Sequence, residues 1–266
     1  MMRVACIQMC SGTDRDVNLD TAEKLLSRAS QQGAELAVLP ENFSFMGGSD
    51  ADNKQHAEDP SDSAILQFLS AQAATHHMAI IGGSLLLHGQ SGRLRNVCPA
   101  FDAGGNQLAI YDKIHLFDMD YNGESYCESA LVAAGDHPSA IPCGAFRVGL
   151  SICYDLRFPE LYRAYADDGC DVLCNVAAFT AITGRAHWQT LLKARAIENQ
   201  SYMLAAAQSG THPDGRQTWG HSMIIDPWGE MLAELEEGEG IVVAEVSKKQ
   251  LNAVRQSLPA LQHRRI

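Results

Sequence analysis

Short apolar runs alternate with amphipathic stretches along this chain, and the alternation occurs in both halves of it. Residues 4–9 read as a strand. Leu19, Ala22, Leu25, Leu26 and Ala29 then fall on one helical face, with Asn18 placed to cap that helix and Gly33 to stop it. A strand follows at 36–39, then a helix from about Ser63 that turns Ile65, Phe68 and Leu69 inward, then an apolar run at 79–87 with two glycines inside it. The middle carries a hairpin signal: 96–102, then Gly104-Gly105-Asn106, then 107–117. The pattern resumes with a strand at 146–152, a helix at about 159–168, a strand at 171–176, a helix at 187–200, and strands at 202–208, 221–226 and 241–246. Such repetition predicts an α/β fold of mixed sheets covered by helices. No Pro- or Ser-rich linker divides it, so one domain over 1–266 is expected.

Charge narrows the partners. Twenty Lys plus Arg against 32 Asp plus Glu leave a net charge of −12, whose field repels phosphate backbones and anionic lipid. Neither a nucleic acid nor a membrane surface is expected as a partner. No apolar run approaches the roughly 20 residues that span a bilayer, and residues 1–8 read as an immediate strand, so a cytoplasmic location is expected. In a reducing compartment the cysteines at 6, 10, 98, 127, 143, 153, 170 and 174 are expected to be free thiols. Seven have only apolar context, which predicts small buried hydrophobes.

Cys153 stands apart by position. Phe146, Val148, Leu150 and Ile152 alternate with Arg147, Gly149 and Ser151, the run stops at Cys153-Tyr154-Asp155, and Pro159 opens a helix. The thiol therefore falls at the C-terminal end of a strand, where α/β folds place reacting groups. Backbone N–H groups beside it, that of Tyr154 included, could hold an oxyanion. Glu41 ends another strand, just after Pro40, and Lys113 lies among strand formers, with His115 on its face and Ile114 and Leu116 on the other. A thiol of pKa about 8.5 is only a few per cent ionised at neutral pH and needs a base or a cation beside it. Glu41 and Lys113 supply one of each. Taken singly, each residue also has a plainer reading: a buried structural thiol, a surface carboxylate, an edge-strand lysine. A Cys-His hydrolase using His115 or His221 as base and a binding or scaffold protein with a vestigial triad are further readings. His76 and His77 carry no HExxH pattern, the cysteines form no paired CxxC, and GxGxxG and GxxxxGK are missing, so neither zinc nor a nucleotide is expected. Asp118-Met119-Asp120 reads as a turn.

Leu39-Pro40-Glu41, Tyr111-Asp112-Lys113-Ile114-His115-Leu116-Phe117 and Gly149-Leu150-Ser151-Ile152-Cys153-Tyr154-Asp155-Leu156-Arg157-Phe158-Pro159-Glu160 together resemble the carbon–nitrogen hydrolase (nitrilase) superfamily, in its order and approximate spacing. The resemblance implies a four-layer αββα sandwich and hydrolysis of a non-peptide amide through a cysteine thioester, with water as co-substrate and without metal or organic cofactor. It implies Glu41 as general base, Cys153 as nucleophile, Lys113 as electrostatic stabiliser and the Tyr154 N–H as an oxyanion donor. A further glutamate looks like Glu128 in Tyr126-Cys127-Glu128-Ser129, with Glu124 as its competitor. A homodimer or higher homo-oligomer is also implied.

Within the superfamily, Thr183-Gly184-Arg185-Ala186-His187-Trp188-Gln189, Ala194-Arg195-Ala196-Ile197-Glu198-Asn199-Gln200 and Gly220-His221-Ser222-Met223-Ile224-Ile225-Asp226-Pro227-Trp228-Gly229 resemble the Nit branch. That implies a small anionic amide, either deaminated glutathione or 2-oxoglutaramate. Tyr126-Cys127-Glu128-Ser129, Ala205-Ala206-Ala207-Gln208-Ser209-Gly210 and Gln262-His263-Arg264-Arg265 favour the former. An acidic protein must meet such an anion with local cations. Arg157, and Arg185 in a loop before the His187 helix, are the candidates, with Phe179 beside them. Val176 stands where a proline is usual in the branch, and Arg185 where a small residue or proline is common.

Overall fold

The computed structural model describes residues 1–90, 92–121 and 123–265. The first half comprises β1 (Met2–Gln8), α1 (Arg15–Gln31), β2 (Leu36–Val38), α2 (Asp50–His56), α3 (Ala64–His76), β3 (Ala79–Ile81), β4 (Leu85–His88), β5 (Leu94–Phe101) and β6 (Gln107–Asp112). A small hairpin of β7 (Asp118–Tyr121) and β8 (Glu124–Cys127) leads to β9 (Ala140–Cys143), β10 (Phe146–Ile152), α4 (Pro159–Asp167), β11 (Val172–Ala177), α5 (Ala181–Asn199) and β12 (Tyr202–Ala207). A second hairpin, β13 (Ser209–Thr211) and β14 (Gln217–Trp219), precedes β15 (Ser222–Ile225), β16 (Met231–Leu235), β17 (Gly240–Val246) and α6 (Lys248–Ser257).

Two sheets result. One runs β17-β1-β2-β3-β5-β4 with β6 on the other edge of β5, and the other runs β16-β15-β12-β11-β10-β9. Each has a parallel centre, β1-β2-β3 and β10-β11-β12, flanked by antiparallel strands. The side-chain period of two makes the layers. In β1, Val4 and Cys6 enter a core shared with Val148, Leu150 and Val176 of the second sheet, while Ala5 and Ile7 enter a core with Leu25, Leu26, Ile65 and Leu69 of α1 and α3. On the far side α4 and α5 cover the second sheet, where Ser151 Oγ meets the Tyr162 hydroxyl at 2.6 Å. The layers are helix, sheet, sheet, helix. Burying one such Leu or Ile contributes about 1.5–3 kcal/mol, so the central core is the main source of cohesion between the sheets.

Several elements differ from expectation, each for a local reason. α1 begins at Arg15, capped by Asp14, while Asn18 turns inward and joins Gly12 N (2.9 Å) to Ser44 O (2.9 Å). The run at 79–87 is broken into β3 and β4 at Gly82 and Gly83. Gly83 has φ +60°, and a Cβ there would lie 2.1 Å from the Pro40 carbonyl oxygen. The missing side chain lets the segment after β2 cross above β3, which carries Glu41 to its place. β6 stops at Asp112, so Lys113 opens a loop. The 118–120 segment is a strand instead of a turn, because it pairs with β8. α5 begins at Ala181, from a Thr180 cap, which puts Arg185 on the helix and exposed, not in a preceding loop. Gly184 belongs inside that helix because a Cβ would come within 2.3 Å of Trp219. α2, α6 and the β13–β14 hairpin were not foreshadowed by any periodic run.

Gly83→Ala is therefore expected to lower stability by about 2 kcal/mol or more, from the backbone overlap with Pro40 and the left-handed φ together. Denaturant unfolding checks it, and a loss below about 0.5 kcal/mol would contradict the close approach.

Candidate active site

Three segments that leave strand ends converge between the two sheets. Glu41 follows β2 and Pro40, Lys113 follows β6, and Cys153 follows β10. The side chains are nearly inaccessible: Glu41 is 4% exposed, Lys113 2% and Cys153 7%. Cys153 has φ +48°, an uncommon conformation for a residue with a side chain, and it makes the sharp exit from β10 before the 3-10 turn Cys153–Arg157. The Tyr154 N–H lies at the start of that turn, where amides have no acceptor within the helix.

Lys113 Nζ stands 2.9 Å from Glu41 Oε1 and 2.8 Å from Glu128 Oε2. Asn96 Nδ2 donates to both carboxylates, at 3.2 Å to Glu41 and 3.0 Å to Glu128. Glu41 Oε2 accepts from the Ala178 N–H (2.9 Å), and its carbonyl accepts from Gln208 Nε2 (3.0 Å). Glu128, in a 3-10 turn after β8, also accepts from the Phe117 N–H (2.7 Å). The Cys153 thiol lies close enough to the Glu41 carboxylate and the Ala178 N–H for both to act on its ionisation. The side chain of Glu124, the competing acid, lies outside the described residues.

Burial pulls the Lys113 ammonium downward, but the Glu128 and Glu41 carboxylates outweigh it and hold its pKa well above the usual lysine range. Lys113 is therefore a fixed cation. Cys153 is the reverse case. Burial first and the Glu41 charge second push the thiol well above the usual cysteine range, with Lys113 opposing them. At rest the group is a neutral thiol with a carboxylate waiting beside it. Such a trio can pass a proton from sulfur to carboxylate when the thiol attacks an electrophile, while the ammonium supports developing oxyanion charge.

Asp155, fully buried, ties the converging segments together. It accepts from Tyr111 OH (2.8 Å), His115 N (3.0 Å), His115 Nδ1 (2.7 Å) and Ile152 N (2.9 Å). His115 is thus paired with Asp155 and stacked on Phe158 at 3.7 Å, and His221 is paired with Glu234 at 2.7 Å. The thiol's partner is Glu41.

A cavity of about 580 Å³ opens above the thiol, with Glu41, Lys113, Glu128, Asn96, Phe117 and Tyr126 in its wall. Arg157, Phe179, Arg185 and Val176 are outside that wall. Arg157 bonds His187 Nδ1 (3.2 Å) with its guanidinium over the Phe179 ring (5.2 Å), Phe179 packs on Trp188 (4.8 Å), and Val176 is in the central core. The rim is built by Arg216, Asp214, Asp50 and the exposed Cys127. Cys127, exposed, and Cys10, half-buried, correct the expectation that the other seven thiols are buried. Asn96 and Arg216 were missed: an Asn inside an apolar strand and an Arg after Asp214-Gly215 are ordinary local sequence. Among the described residues no group of three or more His, Cys, Asp and Glu side chains is arranged to hold a metal ion.

The family described as carbon-nitrogen hydrolase matches residues 3–256. Deaminated glutathione amidase of Synechocystis sp. is 45% identical over 98% of this chain and 97% of its own. Omega-amidase NIT2 of Bos taurus is 38% identical over 99% of this chain and 95% of its own. Among solved structures, the C. elegans NitFhit protein superposes with a TM-score of 0.90 at 37% identity, covering 99% of this chain, which spans 65% of that longer one.

Glu41→Gln separates the two duties of the carboxylate. It removes the charge that raises the thiol pKa while Lys113 remains, so the pH profile of Cys153 alkylation by iodoacetamide is expected to move to lower pH. With Glu41 as the expected proton acceptor, turnover should fall by at least about a hundredfold. Peptide-resolved alkylation rates check the first expectation, and a profile unmoved or shifted upward would contradict the charge assignment.

Proposed function

The chain belongs to the carbon–nitrogen hydrolase family and is an amidase of it, and from that premise we propose that it hydrolyses deaminated glutathione to 2-oxoglutarate and cysteinylglycine. The observation that carries the chemistry is the buried Cys153 thiol beside the Glu41–Lys113 ion pair in the wall of the cavity. The substrate follows from the near full-length similarity to the Synechocystis enzyme of that name.

The amide carbonyl carbon is placed against Cys153. Glu41 takes the thiol proton as sulfur bonds to carbon, and the oxyanion is held by Lys113 and the Tyr154 N–H. The intermediate collapses to a thioester as the C–N bond breaks, and Glu41 returns the proton to the departing amine. Water then adds to the thioester, giving a proton to Glu41. Collapse of this second intermediate releases the carboxylic acid, and the thiolate recovers its proton from Glu41. One carboxylate therefore cycles the proton twice. Glu128 fixes Lys113 throughout, through both of its oxygens, and Asn96 fixes Glu128 relative to Glu41.

The same reading includes a homo-oligomer. Ile197, 51% exposed, lies against Gly229 beside Trp228, 57% exposed, and a second copy would cover this apolar surface. It also includes a cytoplasmic location, which eight unpaired cysteines favour. No helix of the described residues is long and apolar enough to cross a membrane.

Release of 2-oxoglutarate by the purified protein tests the substrate. The expectation is a kcat/KM for deaminated glutathione at least about tenfold above that for 2-oxoglutaramate, a margin of about 1.4 kcal/mol. The opposite preference would replace the proposed substrate. Cys153→Ser should fold and release no 2-oxoglutarate. Lys113→Met should lose at least about a hundredfold in turnover, the usual effect of deleting an oxyanion donor. A loss below about tenfold would remove Lys113 from that role.

A further inference from the structure

One cation in the cavity wall remains after the reaction has used the other. Lys113 is committed to Glu41 and Glu128, and these three charges leave the foot of the cavity net negative. An anionic substrate must find its attraction elsewhere. Among the described residues, the other cation lining the cavity is Arg216, which closes the loop of the β13–β14 hairpin just before β14.

Its side chain is held but not satisfied. The guanidinium carbon stands 4.9 Å from the centre of the Tyr126 ring. Its Nε is buried without a hydrogen-bond partner; the Asp214 carboxylate pairs with its charge at 3.8 Å, a long ion pair that leaves the N–H unbonded. The backbone beneath is anchored. Arg216 N donates to Asp214 Oδ1 (2.9 Å), His212 N donates to the Arg216 carbonyl (2.9 Å), and the His212 ring bridges Ser11 O (2.8 Å) and Thr218 Oγ1 (2.7 Å). A buried donor left unpaired is unfavourable. A stacked guanidinium also presents a rigid fork of N–H groups that matches a carboxylate.

We propose that Arg216 binds a carboxylate of the substrate and thereby sets which way the amide lies over Cys153. This rests on the amidase reading above. Deaminated glutathione carries two such groups, one at the 2-oxo acid end and one on the glycine, and the guanidinium chemistry is the same for both.

Steady-state kinetics of Arg216→Gln and Arg216→Lys on deaminated glutathione, its glycinamide analogue and 2-oxoglutaramate test the proposal. KM of Arg216→Gln for deaminated glutathione is expected to rise about thirtyfold, with kcat changed much less. Arg216→Lys, which keeps the charge without the fork, should lie between. If the glycine carboxylate is held, the glycinamide analogue is already weakened in the parent by a similar factor and loses little more in the variant. If the 2-oxo acid end is held, all three substrates lose alike. An unchanged KM for all three, or a fall in kcat alone, overturns the proposal. Calorimetry of glutarate binding to Cys153→Ala and to Cys153→Ala with Arg216→Gln keeps this apart from failure of the amidase reading. Should no amide be hydrolysed, dicarboxylate binding that is lost with Arg216 still supports the proposal, while equal binding, or none by either protein, overturns it.

Discussion

Because Glu41 and Lys113 come from one sheet and Cys153 from the other, the site exists only where the two sheets are held in a fixed register, and the buried Asp155 carboxylate supplies much of that hold. It receives the Tyr111 hydroxyl from β6, the backbone and ring of His115 from the Lys113 loop, and the Ile152 amide from the strand that ends at Cys153. Hydrogen bonds to a charged acceptor are about twice as strong as neutral ones and restrict geometry more. A second tie joins the end of β1 to the starts of β13 and β15, where Ser209 N donates to Met9 O at 2.8 Å and Ser222 N donates to Gln8 Oε1 at 2.8 Å. The apolar core presses the sheets together without specifying how they slide; these polar contacts specify it.

The charge arrangement is costly to bury and useful for that reason. Two carboxylates and one ammonium out of water carry a desolvation penalty of several kcal/mol per ion, which close pairing and additional hydrogen bonds must offset. Asn96, Ala178 N and Phe117 N supply those bonds. The remaining negative charge acts on the thiol, keeping it protonated until an electrophile arrives. In the proposed reaction the proton passes to a carboxylate already held beside the thiol, so little reorganisation is needed at that step.

Much of this arrangement was legible in the chain because it is locally encoded. Glu41 and Cys153 each terminate an apolar strand, and strand ends are set by neighbours in sequence. The alternation around Lys113 was legible as well, although the strand stops at Asp112, five residues short of the 107–117 run. What was not legible depends on distant packing. Asn96 acquires its role only because β5 lies beside both the Lys113 loop and the Glu41 turn. Arg216 sits on a hairpin whose strands are three residues each, too short to carry a periodic signal. The start of α5 was obscured by Gly184, which looks like a helix breaker until Trp219 is seen packed against the place where its side chain would be.

The protonated state of Cys153 also bears on oxidative wear. Thiolates attack peroxides and disulfides far faster than thiols do, and the ladder from sulfenic to sulfonic acid begins there. Burial and the Glu41 charge withhold the thiolate from Cys153, and burial does the same for Cys6, Cys98 and Cys174 in the core. Cys127 is exposed on the rim of the same cavity. An oxidant diffusing in from solvent therefore meets an exposed cysteine outside the proposed proton cycle before it reaches Cys153, so chemical damage should accumulate at the mouth of the cavity while the buried sulfur stays reduced.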